Sequence, residues 1–430
     1  MTLKAMMTHG IVVIDALLVA GLGEAALAAM GLAGAVGGML VGTLLAFSSA
    51  TQIWIAQAYG SGRPIALKTG FYCGLAINVA AGLLGILAVL IFGGDLFTRF
   101  AHTPEIAAQA QTYLNAFLFV VLGEAVAGAI SSHFNGCGET KTSFYSHLFA
   151  VPVNIIVSVG LIHGLWGLPE LGVLGAAIGS AVSSLLRAGY LGMRFYAQTG
   201  GYFDVAGWMD GTLKASLKRH IRFSLPIAAT FISSTFANTA STLLYAHLNV
   251  NAFAALTLIL PWVNVAGTLG ITWAQATGIL IGQLLGRNLK GDELDAFLRR
   301  AWKTSCLTSA LVSFTYLCVA LGAGWIYSDL QEETKAALLS FLPILVILPF
   351  PKGSNAICGN TLRAGGETVY VMNLFIAAQW AFRIPLTAIM ILYLDLSVTW
   401  VFSLLLMEEL VKFPAFHIRL LRGGWKRGLT

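Results

Sequence analysis

Charge is what this chain of 430 residues has least of: only 10% are Asp, Glu, Lys or Arg, against 57% hydrophobic, and the mean hydropathy is +0.80. That balance excludes an ordinary water-soluble globular domain and leaves an integral membrane protein. Cysteine is also sparse. Cys73, Cys137, Cys306, Cys318 and Cys358 show no paired spacing, so they read as small packing residues without a metal or redox motif. No His-X-X-His or Glu-X-X-His pair occurs, and His133, His147 and His163 are far apart along the chain. A membrane-embedded enzyme, which would need a nucleophile–base pair or metal cluster in one region, therefore finds little support.

What the chain does have is a repeat. Residues 15–29 (DALLVAGLGEAALAA) lie over residues 241–255 (STLLYAHLNVNAFAA) without a gap, with seven of fifteen positions identical. The same offset of 226 carries Gln57 and Gly60 onto Gln283 and Gly286, and an offset of 228 carries GCGET at 136–140 onto AGGET at 364–368. Three ordered matches at nearly one offset indicate a duplicated membrane unit, and duplicated membrane units are mostly transporters.

Apolar stretches of about 20 residues, the length that crosses roughly 30 Å of hydrocarbon, predict twelve transmembrane helices. Six fall near 4–21, 30–52, 69–94, 106–130, 142–163 and 172–195, and six near 220–247, 252–279, 298–323, 336–357, 370–393 and 396–418. The fold class is all-α integral membrane, with two pseudo-symmetric six-helix bundles. Residues 1–200 form an N-terminal lobe, 201–219 a linker and 220–430 a C-terminal lobe. Alternate interruptions collect Lys and Arg: Arg63 and Lys68, Lys141, Lys214 to Arg222, Arg287 to Lys303, and the tail. Cytoplasmic loops collect these residues, so both termini are placed in the cytoplasm. The net charge of +6 follows from that asymmetry and gives no reason to invoke nucleic acid. Residues 1–29 could mimic a signal peptide, but their internal counterpart at 241–255 and Asp15 inside the apolar run argue against it. The first span looks short at its start, as if a longer relative carried a few more residues.

Each half holds an even number of spans, so the repeats are parallel and a substrate path would lie between the lobes. Glycine clusters at 31–38 and 172–179 place small residues at helical spacing, where helices can approach closely. Gly136-X-Gly138 lacks the strand–turn–helix setting of a phosphate loop and reads as a tight turn.

An ionisable group at membrane depth costs roughly 2.5–3.5 kcal/mol on insertion scales and needs a partner, a wet cavity or a function. Asp15 lies about 9 Å in from the outer turn at helical rise; a carboxylate there can exchange protons or bind a monovalent cation, or simply be hydrogen-bonded to neighbouring helices. Glu124 lies near mid-depth, as a second protonatable site or a structural acceptor. Arg383 and Glu408 flank Asp395 at similar separations, which predicts a structural ion pair that Lys412 could extend from Glu408 at i, i+4. Lys352 sits in LPFPKGSN, where Pro349 and Pro351 break the helix. Broken helices at depth line cavities, so Lys352 either faces one or meets a carboxylate on another span.

The chain resembles the multidrug and toxic compound extrusion (MATE) family along essentially its whole length. The resemblance is carried by Asp15 with LGEAALAA, AQAYGSG at 56–62, FNGCGETKT at 134–142, GVLGAAIGSAVS at 172–183, SLP at 224–226, GQLLG at 282–286, LRAGGET at 362–368, WAFRIP at 380–385 and GGWKR at 423–427. It implies an exporter whose two bundles form a V around a central cavity and alternate between inward-open and outward-open states, driven by proton or sodium entry. It also implies a coupling site of Asp15 on the first helix and Asn154 on the fifth. Ser158 stands where many members have Asp or Asn, and Ser180 where many have Thr. In the second half, the family's sodium-coupled branch has a Glu on helix seven and an Asp on helix ten, but the matching positions here are Ser234 and Lys352. That departure puts a second sodium site in doubt and makes Ser234, Lys352 and Asn355 cavity candidates. A fixed positive charge there would disfavour dications.

The leading expectation is a proton- or sodium-coupled antiporter of amphipathic small organic compounds, working as a monomer among the lipids of a bacterial cytoplasmic membrane. It would use no cofactor and no metal beyond a possible sodium at Asp15. The competing readings are a lipid-linked precursor flippase and, far behind, an enzyme.

Overall fold

In a computed structural model, residues 2–200, 212–289, 291–326 and 331–428 are described. Contacts divide the chain into two compact units, residues 3–228 and 229–429. The first contains α1 (Thr2–Ala20), α2 (Glu24–Gly60), α3 (Pro64–Phe100), α4 (Pro104–Gly136), α5 (Thr140–His163) and α6 (Val173–Thr199). After α7 (Thr212–Tyr245), which begins inside the stretch expected to be a linker, come α8 (Val250–Gly286) and α9 (Asp292–Ile326). Residues 201–211 of that linker lie outside the described residues. The tenth span is α10 (Glu332–Ser340), α11 (Leu342–Ile347) and α12 (Pro349–Ala364); the eleventh is α13 (Thr368–Ile376), a π-helical segment (Ala377–Arg383) and α14 (Ile384–Leu392); the last is α15 (Val398–Leu421).

Twelve spans in two six-helix bundles result. Among the described residues, nine helices are long and apolar enough to cross a bilayer, and the bent pair at Leu348 makes a tenth. The other two, α7 and α15, have 34 and 24 residues but carry their polar groups within the span, α15 through Glu408, Glu409 and Lys412.

The duplication is written into the helix ends. α2 and α8 are both 37 residues long and start and stop 226 positions apart, while α4 and the α10–α12 span start and stop 228 apart. Each is followed by the same turn: Gly138 (φ 91°) and Gly366 (φ 88°) adopt the left-handed backbone that only glycine takes without strain. Packing repeats too. α4 is the hub of its lobe, against α2, α3 and α6, and α12 is the hub of the other, against α8, α9 and α15.

Local chemistry explains where the helices begin and break. Thr103 accepts from the Ile106 amide (3.2 Å) to cap α4, and Asn249 from the Ala252 amide (2.8 Å) to cap α8. Pro349 and Pro351 remove two backbone donors, and the tenth span bends by 43°. Hydroxyls of α9 stitch the bend: Ser309 Oγ donates to Pro349 O (2.9 Å) and Ser313 Oγ to Val346 O (2.8 Å).

The small-residue faces divide. Gly175 and Gly179 meet α5 so closely that an added Cβ would lie 2.7 Å from Leu161 C and 2.1 Å from Ser158 Oγ. In the earlier cluster only Gly37 packs, against Phe117; Gly31, Gly34 and Gly38 face open space. The expectation of a close helix approach at 31–38 therefore holds at one glycine of four. Cys306 and Cys318 are exposed, so the packing reading of the cysteines fits only the buried Cys73 and Cys358 and the half-buried Cys137.

Candidate functional site

The first lobe brings three of the sequence-predicted residues into contact. Asp15, on α1, is 5% exposed and flanked by the apolar cluster around Val19, Ala29 and Ile162. Ser180 Oγ of α6 donates to Asp15 Oδ2 at 2.9 Å, and the Asn154 side chain of α5 meets Ser180 Oγ at 3.1 Å. With the Asn154 amide turned over, its nitrogen donates to Asp15 Oδ1 (3.3 Å) and its oxygen accepts from the Ser180 backbone amide (3.2 Å). Both carboxylate oxygens then have donors. Ser158 is the looser member: its buried hydroxyl feels the Asp15 carboxylate but completes no hydrogen bond of its own. Gly179 makes the arrangement possible, because α5 and α6 approach so tightly there that no side chain would fit.

Glu124 lies elsewhere in the same lobe, on α4, ion-paired with Arg187 of α6. Lys4 of α1 belongs to that neighbourhood electrostatically and donates from Nζ to Ser131 Oγ (3.0 Å), which shares a hydrogen bond with Ser143 Oγ (2.8 Å). Neither Arg187 nor Lys4 was singled out from the sequence. Arg187 carried a readable signal, an ionisable group within an apolar span, whereas its pairing with Glu124, 63 residues away, carried none.

In the second lobe, Arg383 Nη1 lies 3.0 Å from Glu408 Oε2, and Lys412 Nζ lies 3.0 Å from Glu408 Oε1 and 2.8 Å from Glu409 Oε1. Asn355 Nδ2 donates to Glu409 Oε2 (2.8 Å) and to the Glu409 carbonyl (2.7 Å), leaving its own buried Oδ1 without a partner. Ser234 accepts from Gln379 Nε2 (2.8 Å), an amide presented by the π-helical segment. Lys352, in the first turn of α12, borders a recess of about 20 Å³, space for one water-sized group, with Gly267, Ser309 and Tyr316. It joins neither Ser234 nor the ion cluster by a direct bond. Among the described residues no group of three His, Cys, Asp or Glu side chains could hold a metal ion.

Comparison with known proteins places this geometry. Residues 1–159 and 226–389 each match the MatE family, one match per lobe. The chain is 23% identical over 410 residues to the probable multidrug resistance protein NorM of Thermotoga maritima, covering 94% of this chain and 86% of that one. It is 24% identical over 383 residues to the multidrug resistance protein NorM of Burkholderia vietnamiensis, covering 87% and 81%. Among solved structures it superposes with a TM-score of 0.85 on the eukaryotic MATE transporter AtDTX14, at 17% identity over 99% of this chain and 94% of that one. A MOP superfamily transporter from Pyrococcus furiosus, described as having a binding pocket of reverse polarity, matches with the same score and coverage at 18% identity. These two show a shared fold. The helix ends, the hub packing and the two family matches all repeat the same unit, and the chain belongs to the MatE family: it is a multi-pass membrane transporter of the multidrug efflux type and not an enzyme.

Proposed function

We propose that this transporter is a secondary antiporter that exports amphipathic small organic compounds by alternating access, with cation entry coupled through Asp15. The observation that carries the reading is a buried carboxylate held by hydroxyl and amide groups from two other helices, α5 and α6, with no ion pair to a cation among the described residues. Such a group is costly at membrane depth unless it exchanges its charge during the cycle. Losing or gaining a proton changes which of Asp15 and Ser180 donates, and thereby how α1, α5 and α6 are tied together.

A proton is favoured over sodium. The Ser180 hydroxyl and the Asn154 amide already aim donors at the carboxylate, and a metal ion would require both to turn away. The second lobe supports the same preference, since its position equivalent to Asp15 is Ser241, which carries no charge. The reading also has both termini in the cytoplasm of a bacterial cell, one copy acting alone in the inner membrane, and no resident cofactor.

The test is efflux of a fluorescent cationic dye from proteoliposomes under an imposed proton or sodium gradient, comparing the unmodified protein with Asp15→Asn. Gradient-driven efflux lost in the variant supports coupling at Asp15. Efflux that needs sodium and ignores the pH gradient would overturn the proton preference, and coupled efflux that survives the substitution would overturn the role of Asp15.

A further inference from the structure

We propose that Lys352 is a binding group for the anionic head, carboxylate or phosphate, of an amphipathic compound carried by the second lobe. This rests on the transport reading above and narrows its substrate class.

The argument begins with the charges around Lys352. Glu408 and Glu409 offer four carboxylate oxygens, and all four are already taken: Arg383 and Lys412 on Glu408, Lys412 and Asn355 on Glu409. Two carboxylates against two cations make a neutral cluster. Lys352 is the fifth charge. It feels Glu409, Glu408, Lys412 and Arg383 electrostatically, yet among the described residues no carboxylate lies within 4 Å of its ammonium. A lysine ammonium carries three donors and no acceptor, so an anionic oxygen is its natural complement.

The repeat sharpens the point. An offset of 228 carries Glu124 onto Lys352, and an offset of 225 between α6 and α15 carries Arg187 onto Lys412 and Arg194 onto Arg419. In the first lobe the hub residue and its partner are opposite in sign and paired. In the second lobe the same two positions are both lysine, and the carboxylates that satisfy Lys412 come from α15 itself. The hub position that is a paired carboxylate in the first lobe is therefore a lysine in the second, and among the described residues that lysine has no carboxylate partner.

There is also space beside it for one oxygen-sized group. Gly267 of α8 lies opposite, where a Cβ would sit 3.9 Å from Lys352 Nζ and 3.3 Å from Tyr316 Oη. Tyr316 Oη donates to Val263 O (2.8 Å), so its proton is committed to the backbone and Lys352 supplies the donors that an anion would meet. Ile271, Val312 and Ala356 also line the recess, whose volume of about 20 Å³ admits an anionic oxygen and leaves the body of the compound outside it.

The test uses dansyl-labelled undecyl probes with one tail and four heads: carboxylate, phosphate monoester, primary amide and trimethylammonium. Equilibrium binding to the full-length protein in detergent is read by dansyl fluorescence with no gradient present, so it does not depend on coupling. Efflux of the same probes from proteoliposomes is measured alongside. The unmodified protein should bind an anionic head about tenfold more tightly than the amide, in line with one charge-assisted hydrogen bond. Lys352→Gln should erase that preference, Lys352→Arg should keep most of it, and Gly267→Ala should weaken anionic heads selectively. Preference for carboxylate over phosphate would identify an acidic organic cargo, and the reverse a phosphate-bearing one; both support the proposal. Binding indifferent to the head, tighter binding of trimethylammonium, or a carboxylate preference that survives Lys352→Gln overturns it. Head-selective binding without gradient-driven efflux would instead count against the antiport reading and leave the site standing.

Discussion

The two lobes share the lengths of their second and fourth spans, hub packing and a glycine turn, and differ in where each keeps its charge. The first buries a carboxylate, Asp15, among uncharged donors and pairs its hub residue Glu124 with Arg187. The second has Ser241 in place of Asp15, a neutral four-residue ion cluster, and Lys352 at the hub. Duplication fixed the architecture and left the polar positions free to diverge. The lesson is that equivalent positions took opposite chemistry: a carboxylate among uncharged donors in one lobe, a lysine beside a neutral ion cluster in the other.

The largest expected break in that comparison is at the first pair of equivalent positions. Asp15→Asn should reduce gradient-driven efflux by about tenfold or more, because the substituted amide cannot exchange a charge. Ser241→Ala should change it by less than about twofold, since the Ser241 hydroxyl carries no charge and bonds back to Ala237 O (2.9 Å) within α7. Initial rates in the same proteoliposomes decide it. Comparable losses from both substitutions would mean that the lobes couple alike.

The hub positions come next. Arg187→Ala strands the half-buried Glu124 carboxylate and should destabilise the protein by about 1–3 kcal/mol, most of it recovered when Glu124→Gln is combined with Arg187→Met. Lys352→Met removes an ammonium with no direct partner and should leave stability unchanged or raise it by up to about 1 kcal/mol. Denaturant-induced unfolding in detergent distinguishes the two. A Lys352→Met protein as unstable as Arg187→Ala would place Lys352 in a structural pair and remove the contrast.

How much of this was legible in the sequence follows the range of the interactions involved. Hydropathy gave the twelve spans, and the repeat located equivalent turns, because both are local or near-periodic signals. Helix ends were less legible: the apolar run at 30–52 underestimates α2, which continues from Glu24 to Gly60 because the backbone stays helical through polar AQAYG. The Arg383–Glu408 contact could be reached by counting residues from a shared turn. Glu124 with Arg187 could not, since α4 and α6 are not neighbours in sequence. The resemblance named Asp15, Asn154, Ser158 and Ser180, but only packing distinguishes Ser180, which touches the carboxylate, from Ser158, whose hydroxyl completes no hydrogen bond. That four carboxylate oxygens are already occupied around Lys352 is a count only coordinates can provide.

The smallest effects separate glycines that the sequence treats alike. Gly179→Ala puts a methyl 2.1 Å from Ser158 Oγ and 2.9 Å from the Ser158 backbone nitrogen, so α5 and α6 must part; overpacking of this kind costs about 1–3 kcal/mol. Because those helices carry Asn154 and Ser180, the variant should also weaken coupling. Gly34→Ala meets nothing within 4 Å, and replacing a helix-interior glycine by alanine should stabilise the protein by about 0.5–1 kcal/mol. Unfolding midpoints measured on the two variants together check the sign as well as the size. If Gly34→Ala proved as damaging as Gly179→Ala, the open face of α2 would have to close on another helix at some point in the transport cycle, and the first lobe would be the more mobile of the two.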